Sequence, residues 1–224
     1  MDARERVIAT KNPLISIIIP TYCEEENVGQ CIRSVKRQKF ENNKVEVIVV
    51  DSNSPDGTRK ISEKHADKAI VIKDRGVSKA RNTGANEAKG KLLLFLDADT
   101  LLDPEFLDNM HRSFTDPQVV CISGSVDSLE QSGFPDNLFN RTHYGLMNKI
   151  AALTAHLGFP LFPTVCCACR KSVFHGIGGF DEGLAIAEDL TFSLRMGKAG
   201  KCQLNKKAKA YTSKNTLLTI WPPP

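Results

Sequence analysis

The stretch Leu92-Leu93-Leu94-Phe95-Leu96-Asp97-Ala98-Asp99 joins an uninterrupted apolar run to two carboxylates. An apolar run of this length, followed at once by acids, predicts a strand that is buried on both faces of a parallel sheet. Along an extended segment, residues two apart face the same way. We therefore expect Asp97 and Asp99 to point into one common space, with Ala98 between them.

Two carboxylates so close together need a cation. Mg²⁺ and Mn²⁺ are typically held by one or two carboxylates together with the phosphate oxygens of a substrate. The sequence thus predicts a divalent metal at Asp97 and Asp99. The alternative is that these acids only end a strand and solvate a loop, and for an isolated Asp-x-Asp that alternative would be preferred.

Apolar segments and amphipathic helical patterns alternate upstream of this strand. Such alternation predicts an α/β fold with an open, mainly parallel twisted sheet and helices on both faces. The expected strands are 14–19, 45–50 and 69–72, and the expected helices are 25–38, 58–65 and 78–88. Local signals predict Thr58 as a helix cap, a left-handed Gly90 after the third helix, and Asp103-Pro104-Glu105 as the start of the next helix.

The regular alternation fails beyond about Val119. A strand at 123–126, a long apolar helix at 136–157 and an extended segment at 164–170 are expected there. In the long helix, the apolar residues would suit contact with a lipid, but packing in the core is the preferred interpretation. These residues are Leu146, Met147, Ile150 and Leu153.

Composition excludes several classes of protein. The 224 residues carry a net charge of only +4, which does not point to nucleic acid. A late group of lysines would suit a polyanion or an anionic membrane surface, although a solvated helix-and-loop face is preferred; it comprises Lys201, Lys206, Lys207, Lys209 and Lys214. Seven cysteines and a charged start without a leader predict a reducing, cytosolic setting, with Cys166, Cys167 and Cys169 as buried thiols.

Chemistry is expected where the parallel strands end, because ligands of open α/β sheets bind beyond the carboxyl ends of the strands. Besides Asp97 and Asp99, the strand ends bring Pro20-Thr21 and Asp51 to this edge. Arg81 offers a permanent cation from a helix that faces the same edge. A turn-forming role for Asp51 and a surface salt bridge for Arg81 are the alternatives.

A glycine-rich stretch at 178–183 leads to Glu188 and Asp189 at the start of a further helix. An acid in the first turn of a helix is stabilised by the helix dipole, so a purely structural role for Asp189 is as good an interpretation as a catalytic one. The residues of this stretch alone do not decide between them.

Taken in order, five motifs make the chain resemble the family 2 glycosyltransferases of the GT-A fold, over about 14–212. The motifs are Ile17-Ile18-Ile19-Pro20-Thr21-Tyr22, Val49-Val50-Asp51 with Asp56-Gly57-Thr58, Ala80-Arg81-Asn82-x-Gly84, Phe95-Leu96-Asp97-Ala98-Asp99, and Gly179-Phe180-Asp181-Glu182 with Glu188-Asp189. The resemblance implies transfer of a sugar, with inversion and with a metal, from a UDP- or GDP-sugar to a hydroxyl or a lipid phosphate.

The resemblance also implies roles for individual residues. The donor nucleotide would be bound by Pro20, Thr21, Glu24, Asp51, Arg81, Asp97 and Ala98. Asp99, with Asp97, would hold Mg²⁺ or Mn²⁺. Asp189 would be the general base, and Glu188 would lie beside the acceptor. Residues 14–103 would form the nucleotide-sugar half and 104–215 the acceptor half of one domain, between an extension (1–13) and a tail (216–224).

Departures from the family pattern leave some properties open. Cys23 and Ser52 replace an Asn and an acid that many members carry, which leaves the base undetermined. No Gln-x-x-Arg-Trp follows Asp189, which indicates single transfer. The acceptor stays open and could be a saccharide, a protein or a polyprenyl phosphate. The oligomeric state and a peripheral position at the cytosolic membrane face stay open as well. A nucleotidyltransferase and a catalytically silent scaffold are the rival interpretations.

Overall fold

The computed structural model describes residues 13–41, 44–129, 136–184 and 186–213. Strands and helices alternate through the first half of this part of the chain and less regularly through the second. The elements are β1 (Ile15–Thr21), α1 (Val28–Lys36), β2 (Val45–Asp51), α2 (Thr58–His65), β3 (Lys68–Val71), α3 (Val77–Glu87), β4 (Leu92–Leu96), β5 (Thr100–Leu102), α4 (Phe106–Ser113), β6 (Val119–Ser128), α5 (Asp136–His156), β7 (Cys166–Arg170), α6 (Lys171–Gly176), α7 (Glu188–Ala199) and β8 (Lys201–Thr212).

All of these strands belong to one mixed sheet in the order β3-β2-β1-β4-β7-β6-β8-β5. The first four strands in this order run parallel, and β7 is antiparallel to both of its neighbours, β4 and β6. β1 lies between two parallel partners, and helices pack on both of its faces, which explains its continuous apolar sequence. The predicted α/β sheet is confirmed.

Successive side chains of the central strands supply two separate cores. On β4, Leu92, Leu94 and Leu96 pack with α1 and α4 on one face of the sheet. Leu93 and Phe95 pack with α3, α6 and α7 on the other face. This alternation follows from the period of two in a strand, and it places helices on both faces.

The predicted bounds of α2 are confirmed, but the predicted cap of α2 and the predicted starts of two other helices are wrong in detail. Thr58 is the first residue of α2, and its Oγ1 accepts a hydrogen bond from the Glu24 backbone N–H at 2.7 Å. The helix predicted from Glu25 begins at Val28. The helix predicted from Asp103 begins at Phe106, and the Asp103 carboxylate instead accepts from the Glu105 N–H at 3.2 Å. Thr58 and Asp103, the two predicted caps, therefore each accept a hydrogen bond from a residue outside the helix instead of from its first turn.

The late lysines lie on a strand, not on a helix-and-loop face. Lys201 opens β8, and Lys207 and Lys209 alternate there with the buried Ala208 and Ala210. β8 pairs with β6 on one side and with the short β5 on the other, so strands from both predicted halves share the sheet. Lys214 lies outside the described residues, as do the predicted extension, except Pro13, and the predicted tail.

The long helix α5 confirms the predicted element but not the predicted packing. Leu146, Met147, Ile150 and Leu153 are exposed, whereas Tyr144 and Ala151 on the opposite side are buried. The apolar residues therefore cover two faces of α5, and only the inner one packs on the sheet. Within the described ranges, no helix has both the length and the apolar character needed to span a bilayer.

Gly90 is needed for a reason other than the predicted left-handed conformation, since its φ is not among the positive values found in the described chain. A Cβ at Gly90 would lie 2.7 Å from Ser16 N and 2.8 Å from Ile15 C. The backbone of β1 cannot give way without disturbing the central sheet. Close approach to β1, not a left-handed turn, therefore requires glycine here.

We predict that Gly90→Ala lowers the free energy of unfolding by about 1–3 kcal/mol through overpacking. Gly145→Ala is the matched control, because a Cβ there meets nothing within 4 Å. In the interior of α5, that change should raise stability by about 0.5–1 kcal/mol. Urea unfolding followed by circular dichroism measures both, and an unchanged midpoint for Gly90→Ala would contradict the packing argument.

Candidate active site

The guanidinium of Arg81 hydrogen-bonds several acidic side chains at the edge of the sheet where the parallel strands end. Arg81 lies in α3 and is 3% exposed. Its Nη2 donates to Asp97 Oδ1 at 3.1 Å, and its Nη1 donates to Asp189 Oδ1 at 3.1 Å and to Glu188 Oε1 at 3.4 Å. The structure therefore brings together four of the predicted site residues, taken from three separate elements.

These acids outnumber the cation that holds them. Burial raises the pKa of Asp97 to about 6, and the carboxylates of Asp99 and Asp189 add to the rise while Arg81 opposes it. Burial followed by the Asp189 charge raises the pKa of Glu188 as well. Burial disfavours the charged form of Arg81, but the surrounding carboxylates outweigh it and raise the pKa. The site therefore carries an excess of negative charge.

Asp189 has a fixed orientation and an accessible side. Its Oδ2 accepts from the Thr164 backbone N–H at 3.1 Å, and its Oδ1 also accepts from the Thr164 hydroxyl. It lies in the first turn of α7, which begins after Ala187 in the left-handed region at φ 66°. A third of the side chain, 33%, remains exposed, against 21% for Asp97. Asp189 is thus both held in place and reachable.

Asp99 lies where β8 ends. Its Oδ2 accepts from Ser213 Oγ at 2.8 Å, and its Oδ1 accepts from Thr212 Oγ1 at 3.3 Å. Sequence reasoning missed both hydroxyls because β8 itself was not predicted. The available signal was the alternation of small and charged residues leading into Thr212.

The carboxyl group of Glu24 is affected by the negative charges of Asp97 and Asp99. Burial raises its pKa to about 7, the hydrogen bond that Asn27 donates at 2.9 Å lowers it, and the charges of Asp99 and Asp97 raise it further. Glu24, which is predicted to bind the donor nucleotide, therefore lies near the predicted metal ligands. A group with this pKa is partly protonated near neutral pH.

The strand-end residues Thr21 and Asp51 are buried and bonded to each other at 3.1 Å. Asp51 also accepts from Ser54 N at 3.0 Å and from Ser54 Oγ at 2.5 Å, while Ser54 Oγ accepts from Cys23 N at 2.9 Å. The bonds join the loops after β1 and β2 into one wall of the edge. Pro20 and Ala98 are buried as well, and the binding roles expected for these residues stay predictions.

Asn82 is a functional candidate that sequence reasoning named but left without a role. Its Nδ2 donates to Phe180 O at 2.9 Å, and its Oδ1 accepts from Phe180 N at 2.9 Å. Gly179 adopts φ 69°, and a Cβ there would lie 2.7 Å from Asn82 Oδ1. Arg81 and Asn82 thus hold two neighbouring segments, the first turn of α7 and the glycine-rich turn before it.

The oxygen ligands of Asp97 and Asp99 fit a hard divalent cation. In the parts of the chain that the structure describes, no group of three or more His, Cys, Asp or Glu side chains could hold a metal ion by itself. Burial is the main reason for the raised pKa of Asp97, and repulsion from Asp99 adds to it; a cation bound by both carboxylates would relieve that repulsion. This donor set suits an ion bound by one or two carboxylates and completed by substrate phosphates.

Comparison with known families decides the relationship. The sequence model described as "Glycosyl transferase family 2" matches residues 16–178, more than half of the chain. The chain belongs to glycosyltransferase family 2. The match ends before Glu188 and Asp189, so the family assignment does not depend on them.

Related proteins and structures agree with this family. Glycosyltransferase AglE of Haloferax volcanii is 28% identical over 84% of the chain, and TarS of Staphylococcus aureus, a poly(ribitol-phosphate) β-N-acetylglucosaminyltransferase, is 26% identical over 80%. The chain spans 62% and 32% of these two relatives.

Solved structures show the same fold. TarS 1–349 in complex with UDP-GlcNAc has a TM-score of 0.72 at 24% identity, covering 89% of this chain and 58% of that one. The mannosyltransferase PcManGT of Pyrobaculum calidifontis, in complex with GDP-Man and Mn²⁺, has a TM-score of 0.69 at 24% identity, covering 92% and 58%. The predicted GT-A fold is thereby confirmed.

We predict that Arg81→Met lowers the free energy of unfolding by about 3 kcal/mol or more, because three partly buried carboxylates lose their cation. Arg59→Met is the matched control. Arg59 also lies on a helix and pairs with Glu63 at 2.8 Å, but both side chains are exposed. Its loss should stay within about 0.5 kcal/mol. Equal urea midpoints for the two variants would show that Arg81 does not hold the site together.

Proposed function

We propose that the chain is a metal-assisted, inverting glycosyltransferase that moves one sugar from a UDP- or GDP-sugar to an acceptor. The observation that carries the proposal is the Arg81 guanidinium, which links Asp97 on the donor side to Asp189 on the acceptor side, at 3.1 Å from each. Two structural neighbours are complexes with UDP-GlcNAc and with GDP-Man, which supports a nucleotide-sugar donor for this chain.

The donor side combines a wall and a charged end. The hydrogen-bonded loops after β1 and β2, with Thr21 and Asp51, would face the base and ribose. Glu24, whose pKa is raised by burial and by the charges of Asp99 and Asp97, lies near the two acids. Asp99 and Asp97 would hold Mg²⁺ or Mn²⁺, and when bound the ion neutralises the charge of the diphosphate. Mn²⁺ in the PcManGT complex supports a divalent ion for this arrangement.

On the acceptor side, Asp189 acts as the general base. The acceptor oxygen forms a bond to the anomeric carbon as the bond from that carbon to the diphosphate oxygen breaks, and the hydroxyl proton passes to Asp189. Thr164 and Arg81 fix the carboxylate so that its accessible side meets the hydroxyl. Attack from the face opposite the diphosphate inverts the configuration.

The acceptor class changes what Asp189 must do. A saccharide or protein hydroxyl has to lose a proton, whereas a polyprenyl phosphate is already ionised. Asp189 is therefore essential for the first class and less important for the second. Glu188, bonded to the same Arg81 Nη1, lies beside the acceptor and supports the position of its neighbour.

The same proposal places the reaction in the cytoplasm, either in solution or at the cytosolic face of a membrane. All seven cysteines of the chain have free thiols, and all but Cys23 are buried. Burial raises the pKa of the Cys166 thiol well above its ordinary value, which keeps this thiol protonated and unreactive. Such thiols suit a reducing compartment.

We expect one nucleotide to raise the melting temperature of the purified chain, and only when Mn²⁺ or Mg²⁺ is present. At a hundredfold excess over the dissociation constant, binding adds about 2.7 kcal/mol of stability. A thermal-shift series with UDP, GDP, CDP, dTDP and their sugar conjugates measures it, with Asp99→Ala expected to abolish the metal-dependent part. Equal stabilisation with and without metal would contradict the proposed metal site.

We expect Asp189→Asn to lower kcat for a hydroxyl acceptor by about 10²–10⁴-fold, because the amide cannot take the proton. Donor affinity should be unchanged. Asp181→Asn is the control, since Asp181 is an exposed acid of the preceding turn. Initial rates of transfer measure kcat, and a donor titration measures donor affinity. A normal kcat for Asp189→Asn would rule Asp189 out as the base.

A further inference from the structure

The outer face of α5 carries an apolar stripe that no described element covers. Leu146, Ile150, Leu153 and Leu157 keep 58, 38, 58 and 57% of their surface exposed. Their spacing places them on one narrow face of the helix. At 1.5 Å per residue, the stripe is roughly 16 Å long. Isolated exposed apolar residues are ordinary, but a continuous row marks an interaction surface.

The stripe is bordered by a lysine and lies in a part of the chain without acids. Exposed Lys149 lies along one side of it, and the exposed His156 follows on the same side seven residues later. Residues 137–180 contain no Asp or Glu, so α5 beyond Asp136 and the loop and strand that follow it contribute no carboxylate. The groove on the sheet side of α5 is lined by both Asp127 and Lys209. The outer face is therefore apolar, with the positive charge of Lys149 on its border and no carboxylate from this stretch of chain.

Further exposed apolar side chains follow the stripe in the chain and at the start of α7. Phe159, just after the stripe, is 47% exposed. The next residue, Pro160, packs on α7, since a Cβ at Gly197 would lie 2.4 Å from Pro160 Cδ. At the start of α7, Ile186 and Leu190 are again exposed on either side of Glu188 and Asp189.

We propose that the stripe, with Phe159 at its end, docks on the surface of a bilayer that contains anionic lipids. Helices of this kind lie in the interface with their apolar residues among the acyl chains and their cations at the lipid phosphates. A second copy of the chain fits less well, because a symmetric pair would bring the Lys149 side of each copy against a face of the other that offers no carboxylate from residues 137–180.

The test is cosedimentation of the purified chain with vesicles of phosphatidylcholine, with and without phosphatidylglycerol. The chain should bind the anionic vesicles more tightly. Leu153→Gln combined with Leu157→Gln should weaken that binding about tenfold or more, because two leucines no longer enter the interface. Lys149→Gln should weaken binding to the anionic vesicles alone, about fivefold. These measurements need no nucleotide sugar and no turnover, so they stand apart from the transferase proposal.

The control is Val71→Gln, which removes a similarly exposed apolar side chain from β3, at the edge of the sheet, and should leave binding unchanged. Thermal melts check that each variant is folded. Three outcomes would overturn the proposal: equal vesicle binding by the leucine variant, a lipid-free dimer that this variant dissociates, or binding that arises only after residues 214–224 are deleted. The last two would assign the stripe to a second copy or to the chain's own end.

Discussion

The burial of one guanidinium among three carboxylates is the constraint on which the candidate site depends. Arg81 cannot lose its charge inside the protein, so it needs acids around it, and Asp97, Glu188 and Asp189 supply them at 3.1–3.4 Å. The surplus of negative charge then extends to Asp99 and Glu24. Arg81 holds the acids of the site together without neutralising all of them. The site is therefore suited to bind a second cation, a metal ion, together with an anionic ligand.

The fold supplies this arrangement because successive residues of one helix face different segments. In α3, Arg81 reaches β4's end and the first turn of α7, and Asn82 fixes Phe180 in the turn before α7. Phe180 in turn stacks on Phe192 with ring centroids 4.2 Å apart, within the core beneath the sheet. The position of Asp189 is therefore tied to hydrophobic packing as well as to its ion pair.

The sequence predicted the central sheet well because β1, β2 and β4 are buried on both faces and their apolar runs admit little else. It missed β8 for a physical reason. From Lys207 to Thr212, the strand alternates exposed and buried residues, but the buried ones include Ala208 and Ala210, which have a weak strand preference. The lysines dominated the pattern and indicated a solvated surface. Because β8 was missed, the hydroxyls at its end that hydrogen-bond Asp99 were missed as well, and the metal side of the site was predicted only in part.

The sequence pattern also failed to decide which face of α5 is covered, because apolar residues occupy both faces. Tyr144 and Ala151 pack inward, while Leu153 and Leu157 do not, and only the position of the sheet distinguishes them. That difference bears on the acceptor. The loop from α5 to β7 packs on α7 through Pro160 and bonds Asp189 through Thr164. An interface held by the outer face of α5 would thus be linked, by a few residues of loop, to the carboxylate that receives the acceptor.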